Sequence, residues 1–248
     1  MLRRAVEPLV DLVLPRVCAG CGVPGRVLCP ACAILLAQPR LAAPRRHPDG
    51  FPPTVAAGAY AGRVPAAVNA FKDRGRVELA RPLGVALALA VAVVRSAVDQ
   101  DGPVQLVPVP SSRAAVRERG RDHVAELAAV AVRELVGAGV PARTARLLGR
   151  RGRVRDSAGL GTGQRRANLA GTFVLRAPLR PARGLLVLVD DVVTTGATIT
   201  EAAGVLARAA PTGRDDTPVV AAVVAATPRR RPRPVVAAGP GVFTVRDR

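Results

Sequence analysis

Leu185-Leu186-Val187-Leu188-Val189-Asp190-Asp191-Val192-Val193-Thr194-Thr195-Gly196-Ala197-Thr198 reads as a buried strand, two carboxylates, a short polar turn and the start of a helix. Residues 185–189 carry no charged or polar side chain, the composition of a parallel strand covered on both faces. The turn supplies hydroxyls, a glycine and free backbone N–H groups where a helix begins. Unpaired amides and the helix dipole both direct positive charge there, which favours a phosphate. Two carboxylates beside such a cradle would repel the anion unless a sugar, a metal ion or both lay between. Ionised carboxylates are acceptor-only and suit hydroxyl donors, and Gly196 lets a backbone approach closely. Adjacent strand residues point to opposite faces, so Asp190 and Asp191 serve one ligand only if the chain leaves the strand near Asp190. The ligand would then lie beyond the carboxyl end of the sheet, as is usual in open α/β folds. The simpler alternative is a strand ending in an acidic turn, with Thr198 or Thr200 capping the next helix.

The pattern resembles the motif by which the type I phosphoribosyltransferases bind 5-phosphoribosyl 1-diphosphate (PRPP). That resemblance implies that Asp190 and Asp191 hold the ribose hydroxyls, and that Thr194, Thr195, Gly196, Ala197 and Thr198 wrap the 5′-phosphate.

All four cysteines lie near the N-terminus, as Cys18-x2-Cys21-x7-Cys29-x2-Cys32. Two Cys-x2-Cys knuckles supply four thiolates in a tetrahedron, which suits a structural zinc ion with no open position for chemistry. Gly20, Gly22 and Gly25 make tight knuckle turns feasible. Disulfides and a redox Cys-x-x-Cys are the alternatives, and both fit a cytosolic chain less well.

Outward from these two motifs the chain alternates strand and helix, which points to an α/β fold with a mostly parallel sheet flanked by helices. Residues 1–37 form a leading amphipathic helix and the metal module. Residues 38–53 read as a Pro- and Arg-rich linker, 54–228 as the main domain, and 229–248 as a basic tail. Strands are expected at 54–60, 105–110, 171–175, 185–189 and 219–225. Helices are expected at 66–71, 78–97, 122–136 and 199–209. The polar, arginine-dense stretch 150–168 reads as a long functional loop. The apolar run Leu83–Val94 is too short to span a bilayer and reads as a buried helix. No secretory signal is legible, because Glu7 and Asp11 interrupt the leading apolar stretch, and a cytoplasmic protein with no membrane span is expected.

The order of the pieces is similar to that of the ComF family, competence-associated proteins with a zinc knuckle pair before a phosphoribosyltransferase-like domain. The matching segments are Cys18 to Cys32, Phe71-Lys72 before a basic turn, Val107-Pro108-Val109-Pro110, Arg119-Gly120, Arg165-x-x-Asn168 and the 190–198 motif. Arg121 and Asp122 stand where the family often has an aromatic residue and an Asn. Ser157 stands where a Gln is common. The resemblance gives Ser111, Ser112 and Arg113 to the pyrophosphate, with Lys72, Arg119 and Arg165 as further cations, and it implies Mg²⁺ accompanying PRPP.

A net charge of +19 over 248 residues favours anionic ligands without choosing among them. Lys72 is the single lysine among 37 Lys and Arg, which suggests a site needing a compact ammonium. His123 reads as a cap-region residue at a helix start, and His47 as solvent-facing. Three functions fit: transfer of ribose 5-phosphate from Mg²⁺-PRPP to an acceptor; single-stranded DNA handling linked to DNA uptake; and a regulator that binds PRPP without turnover. Aromatic residues make up only 2% of the chain, which disfavours base stacking.

Overall fold

The computed structural model describes residues 16–44, 48–98, 102–151, 171–176, 184–209 and 219–228. The expected leading helix, most of the 150–168 loop with Arg165, and the basic tail lie outside the described residues.

The fold is mixed α/β. Six strands form one sheet in the order β1-β2-β8-β7-β3-β4, parallel throughout except at the edge strand β1. They are β1 (Arg40–Leu41), β2 (Thr54–Ala59), β3 (Val104–Pro108), β4 (Ala142–Thr144), β7 (Leu185–Val193) and β8 (Val219–Ala226). Two further strands, β5 (Leu148–Arg150) and β6 (Phe173–Leu175), make an antiparallel pair beside it. The helices are α1 (Pro30–Ala33), α2 (Val64–Lys72), α3 (Ala80–Ala97), α4 (Arg113–Arg119), α5 (His123–Gly137) and α6 (Ala197–Ala209).

The central strands are apolar on both faces because both faces are covered. Leu185, Val187 and Val189 of β7 pack with α2, α3 and α5, whereas Leu186 and Leu188 pack with α6, Phe51 and Phe173. With so few aromatics, Leu, Val and Ala fill both cores. Leu83, Leu87, Val91 and Val94 of α3 recur at helical spacing and are fully buried, and burying one such side chain contributes about 1.5–3 kcal/mol. The run Leu83–Val94 is a buried helix as expected; the longer stretch Val77–Ala97, with mean hydropathy 2.0, is by length and composition alone apolar enough to cross a membrane, a test that buried core helices also pass. Half of it is buried within the protein. Gly84 permits this packing, because a Cβ there would overlap Val130 of α5.

Two expectations change. The linker contributes β1, whose Leu41 pairs with Val55. The chain does not leave the sheet near Asp190: β7 runs on to Val193, paired with β8 through Val193 and Ala226. The two acids therefore sit within a strand.

Candidate functional site

Among the described residues, a topological switch point lies between β3 and β7. From β3 the chain crosses over through α5 on one face to reach β4, and from β7 it crosses through α6 on the opposite face to reach β8. The carboxyl ends of the two strands splay their connections apart and leave a crevice, the ordinary ligand site of such sheets. Asp190 and Asp191 stand within the carboxyl-terminal part of β7 on one side of it, and Pro108-Val109-Pro110-Ser111 at the end of β3 on the other.

Asp191 is 3% exposed and is met by two nitrogens from separate helices. Lys72 Nζ, at the end of α2, lies 2.7 Å from its Oδ2, and His123 Nε2, at the first position of α5, lies 3.0 Å from the same oxygen. Its Oδ1 accepts the Val192 N–H at 2.7 Å. Burial alone would raise this carboxyl, but the His123 hydrogen bond and the Lys72 charge outweigh it and hold the pKa well below the usual range. Burial also works against the Lys72 ammonium, and the charges of Asp191 and Asp190 raise its pKa regardless. Lys72 thus has a fixed partner in the protein, one the sequence reading had not assigned to it. Arg119, likewise expected at the pyrophosphate, is bonded to Asp73 at 3.0 Å.

Asp190 differs from its neighbour. It is half-buried, its Oδ1 accepts the Asp191 N–H at 2.9 Å, and no cation lies within salt-bridge distance among the described residues. Burial first and the Asp191 charge second push its carboxyl up to about 8, against the pull of Lys72. Environment splits the pair into one fixed carboxylate and one proton-holding acid, the arrangement by which sites assign acid and base roles.

Sequence reasoning missed two residues here. His123 does sit in the cap region, next to the cap Asp122, which accepts the Ala125 N–H at 3.3 Å, but its ring is also 3% exposed and bonded to Asp191, a role the sequence reading did not give it. The Asp-His pair at a helix start was the available signal. Arg150 lies near Asp190, with its guanidinium 5.0 Å from the Phe173 ring centre, and burial lowers its pKa. His123 Nδ1 and Arg150 Nε are buried without a hydrogen-bond partner. Unsatisfied buried nitrogens are uncommon, and here both belong to residues beside the acid pair.

Beyond β7, Gly196 adopts φ +78° and is buried, and a Cβ there would press 2.8 Å from the Phe51 ring. Only glycine suits both conditions. Thr194 is exposed and Thr195 half-buried. The Thr195 hydroxyl accepts the Ala197 N–H at 3.5 Å and the Thr200 hydroxyl donates to the Gly196 carbonyl at 3.0 Å. Thr198 is half-buried in the first turn of α6. At the end of β3, Ser112 caps α4 by accepting the Ala115 N–H at 3.1 Å, while Ser111 and Arg113 line a cavity.

The second site is the cysteine cluster. The Sγ atoms of Cys18, Cys21, Cys29 and Cys32 all lie within 4.8 Å of one another, and the cysteines are free thiols. A tetrahedral ion bonded to sulfur at about 2.3 Å needs sulfurs slightly under 4 Å apart, and Cys21 and Cys29 are 3.6 Å apart. The donor set therefore fits a structural metal such as zinc. Burial would raise the Cys18 thiol, but the Cys29 N–H and the other donors around it lower it to about 6. Burial and the neighbouring thiols push Cys32 up to about 12. Gly22 and Gly25 turn the knuckle at φ +78° and +97°, and Gly20 lies against Cys32 with no room for a Cβ. The Arg76 guanidinium ties the module down by donating to the Val17 carbonyl at 2.9 Å.

Compared with known proteins, the chain matches no protein-family model, and no curated protein matches it.

Proposed function

We propose that the chain binds Mg²⁺-PRPP and transfers ribose 5-phosphate to an acceptor with release of pyrophosphate, as in the type I phosphoribosyltransferases and the ComF family that its motifs resemble. One observation carries this reading. An acid pair, with Asp191 bonded to Lys72 and His123 and Asp190 beside it without a cation at salt-bridge distance among the described residues, stands at the switch point just before a positive-φ glycine turn that opens a helix.

Under this reading the 194–198 turn takes the 5′-phosphate on its hydroxyls and free amides. Asp190, the acid without a bound cation, meets the ribose first. It is largely neutral near pH 7 and donates to a ribose oxygen, then yields its proton as the sugar gains positive charge. For both acids to serve one ribose, the 190–193 end of β7 must leave its pairing with β8 on binding, and Asp191 then exchanges its bond to Lys72 for one to the second hydroxyl. The freed Lys72 turns to the diphosphate, joining the Ser111-Ser112-Arg113 loop. Mg²⁺, brought on the diphosphate, would supply charge neutralisation of the leaving group. The metal we assign to the cysteine cluster is Zn²⁺, in a structural role.

Calorimetry with Mg²⁺-PRPP tests the reading. The full chain should bind, and Asp190→Asn with Asp191→Asn should abolish the heat. A wild-type chain that stays silent at millimolar PRPP ends the proposal. Pyrophosphate release with a panel of bases and amines then separates a transferase from a PRPP-binding regulator.

A further inference from the structure

A cavity of about 320 Å³ lies at the carboxyl end of β3, between the loop that begins α4 and the base of the β5–β6 pair. Four guanidiniums line it: Arg113 and Arg117 from α4, Arg146 from the turn after β4, and Arg176 just past β6. Among the described residues, none of the four has a hydrogen bond or ion pair from its side chain to the protein. The lining holds one carboxylate, Asp122, which is already committed to capping α5. Ser111 adds a hydroxyl, and proline, valine and leucine form the remaining wall.

An exposed arginine in a chain with 37 basic residues is ordinarily a solvated surface charge, and any one of these alone would be. Four from three parts of the fold, converging on one hollow with no free acid to answer them, repel one another. An anion of several charges removes that repulsion, and the planar fork of each guanidinium grips two phosphate oxygens at once. The lining shares Ser111 and Arg113 with the proposed diphosphate loop but includes none of Asp190, Asp191 or residues 194–198.

We infer that this cavity binds a second ligand alongside the sugar phosphate, a small molecule carrying a di- or triphosphate group. The site rests on the arginines and not on the PRPP reading.

The test uses inorganic triphosphate titrated into the zinc-loaded full chain at two salt concentrations. Arg146→Ser with Arg176→Ser should weaken binding at least about tenfold and flatten the salt dependence, as losing two charge-assisted contacts requires. Arg133→Ser with Arg208→Ser, which removes the same charge from the exposed sides of α5 and α6, should leave it unchanged. Saturating Mg²⁺-PRPP should not displace the triphosphate. Folding of the Arg146/Arg176 variant is checked by its melting temperature, which should hold or rise because like charges have been removed. Equal weakening by both arginine pairs would show attraction to overall charge alone and overturn the inference. Displacement by Mg²⁺-PRPP would overturn it too, by making the cavity the diphosphate end of the first site. If the chain binds no PRPP, the proposed function fails by itself, and the arginine comparison still decides this site.

Discussion

Replacing Lys72 by Met removes the ammonium from Asp191 while keeping the length of the side chain. The Asp191 side chain is 5% exposed and that of Lys72 30%. Stripping one partner from a buried ion pair costs about 3–5 kcal/mol, because the other charge stays behind in low dielectric. The exposure of Lys72 and the remaining His123 bond reduce this to about 2–3 kcal/mol, or roughly 5–10 °C in melting temperature for a domain of this size. Asp191 is held below its unfolded value of 3.8, so its contribution is present above that pH and is lost as pH falls. Lys72 is held above its unfolded value of 10.5, so its contribution is present below that pH and is lost as pH rises through the folded value. The pair thus contributes fully between those limits. Urea unfolding at pH 7 of the wild type, Lys72→Met, Asp191→Asn and the double variant gives the coupling, which should be at least about 1 kcal/mol. A coupling near zero, or a Lys72→Met chain as stable as the wild type, would refute the account of the cluster.

Asp190→Asn should gain stability over the wild type as pH rises. The folded Asp190 keeps its proton up to about 8 while the unfolded one loses it near 3.8, so wild-type stability falls across that interval and the Asn chain escapes the fall. Denaturation at pH 6 and pH 8.5 should show the gap widening by about 2 kcal/mol, and parallel curves would refute it. Gly84→Ala should cost about 1–3 kcal/mol by forcing α3 and α5 apart at Val130, measured as the urea midpoint. Metal analysis should find one zinc per chain, lost in Cys29→Ser, and chelation should raise the proteolytic sensitivity of residues 16–37 ahead of the rest of the chain.

Most of the sheet was legible because its strands are short apolar runs bounded by turns, and α5 starts within a residue of its expected position because Asp122 carries a cap signal. The cysteine cluster was legible from spacing alone. Elsewhere local pattern had no access to the deciding partner. Two carboxylates look like the end of a strand, and only pairing with β8 keeps β7 extended through Val193. β1 is two residues long, too short to carry a periodicity. β5 and β6 pair across an intervening stretch of chain, and β5 is only three residues long. Lys72 drew notice as the lone lysine, yet its partner Asp191 comes from β7, far away in the chain. The bond between His123 and Asp191 was missed for the same reason: a cap is a local feature, and a contact between distant segments is not.

The basic elbow between α2 and α3 is anchored at both ends. Lys72 fastens one end to the acid pair, and Arg76 fastens the other to the first loop of the cysteine module. A chelator acting on sulfur would therefore slacken a brace whose far end sets the ammonium on Asp191. Metal content becomes a variable to be controlled in any measurement of sugar-phosphate affinity, even though no cysteine approaches the switch-point crevice.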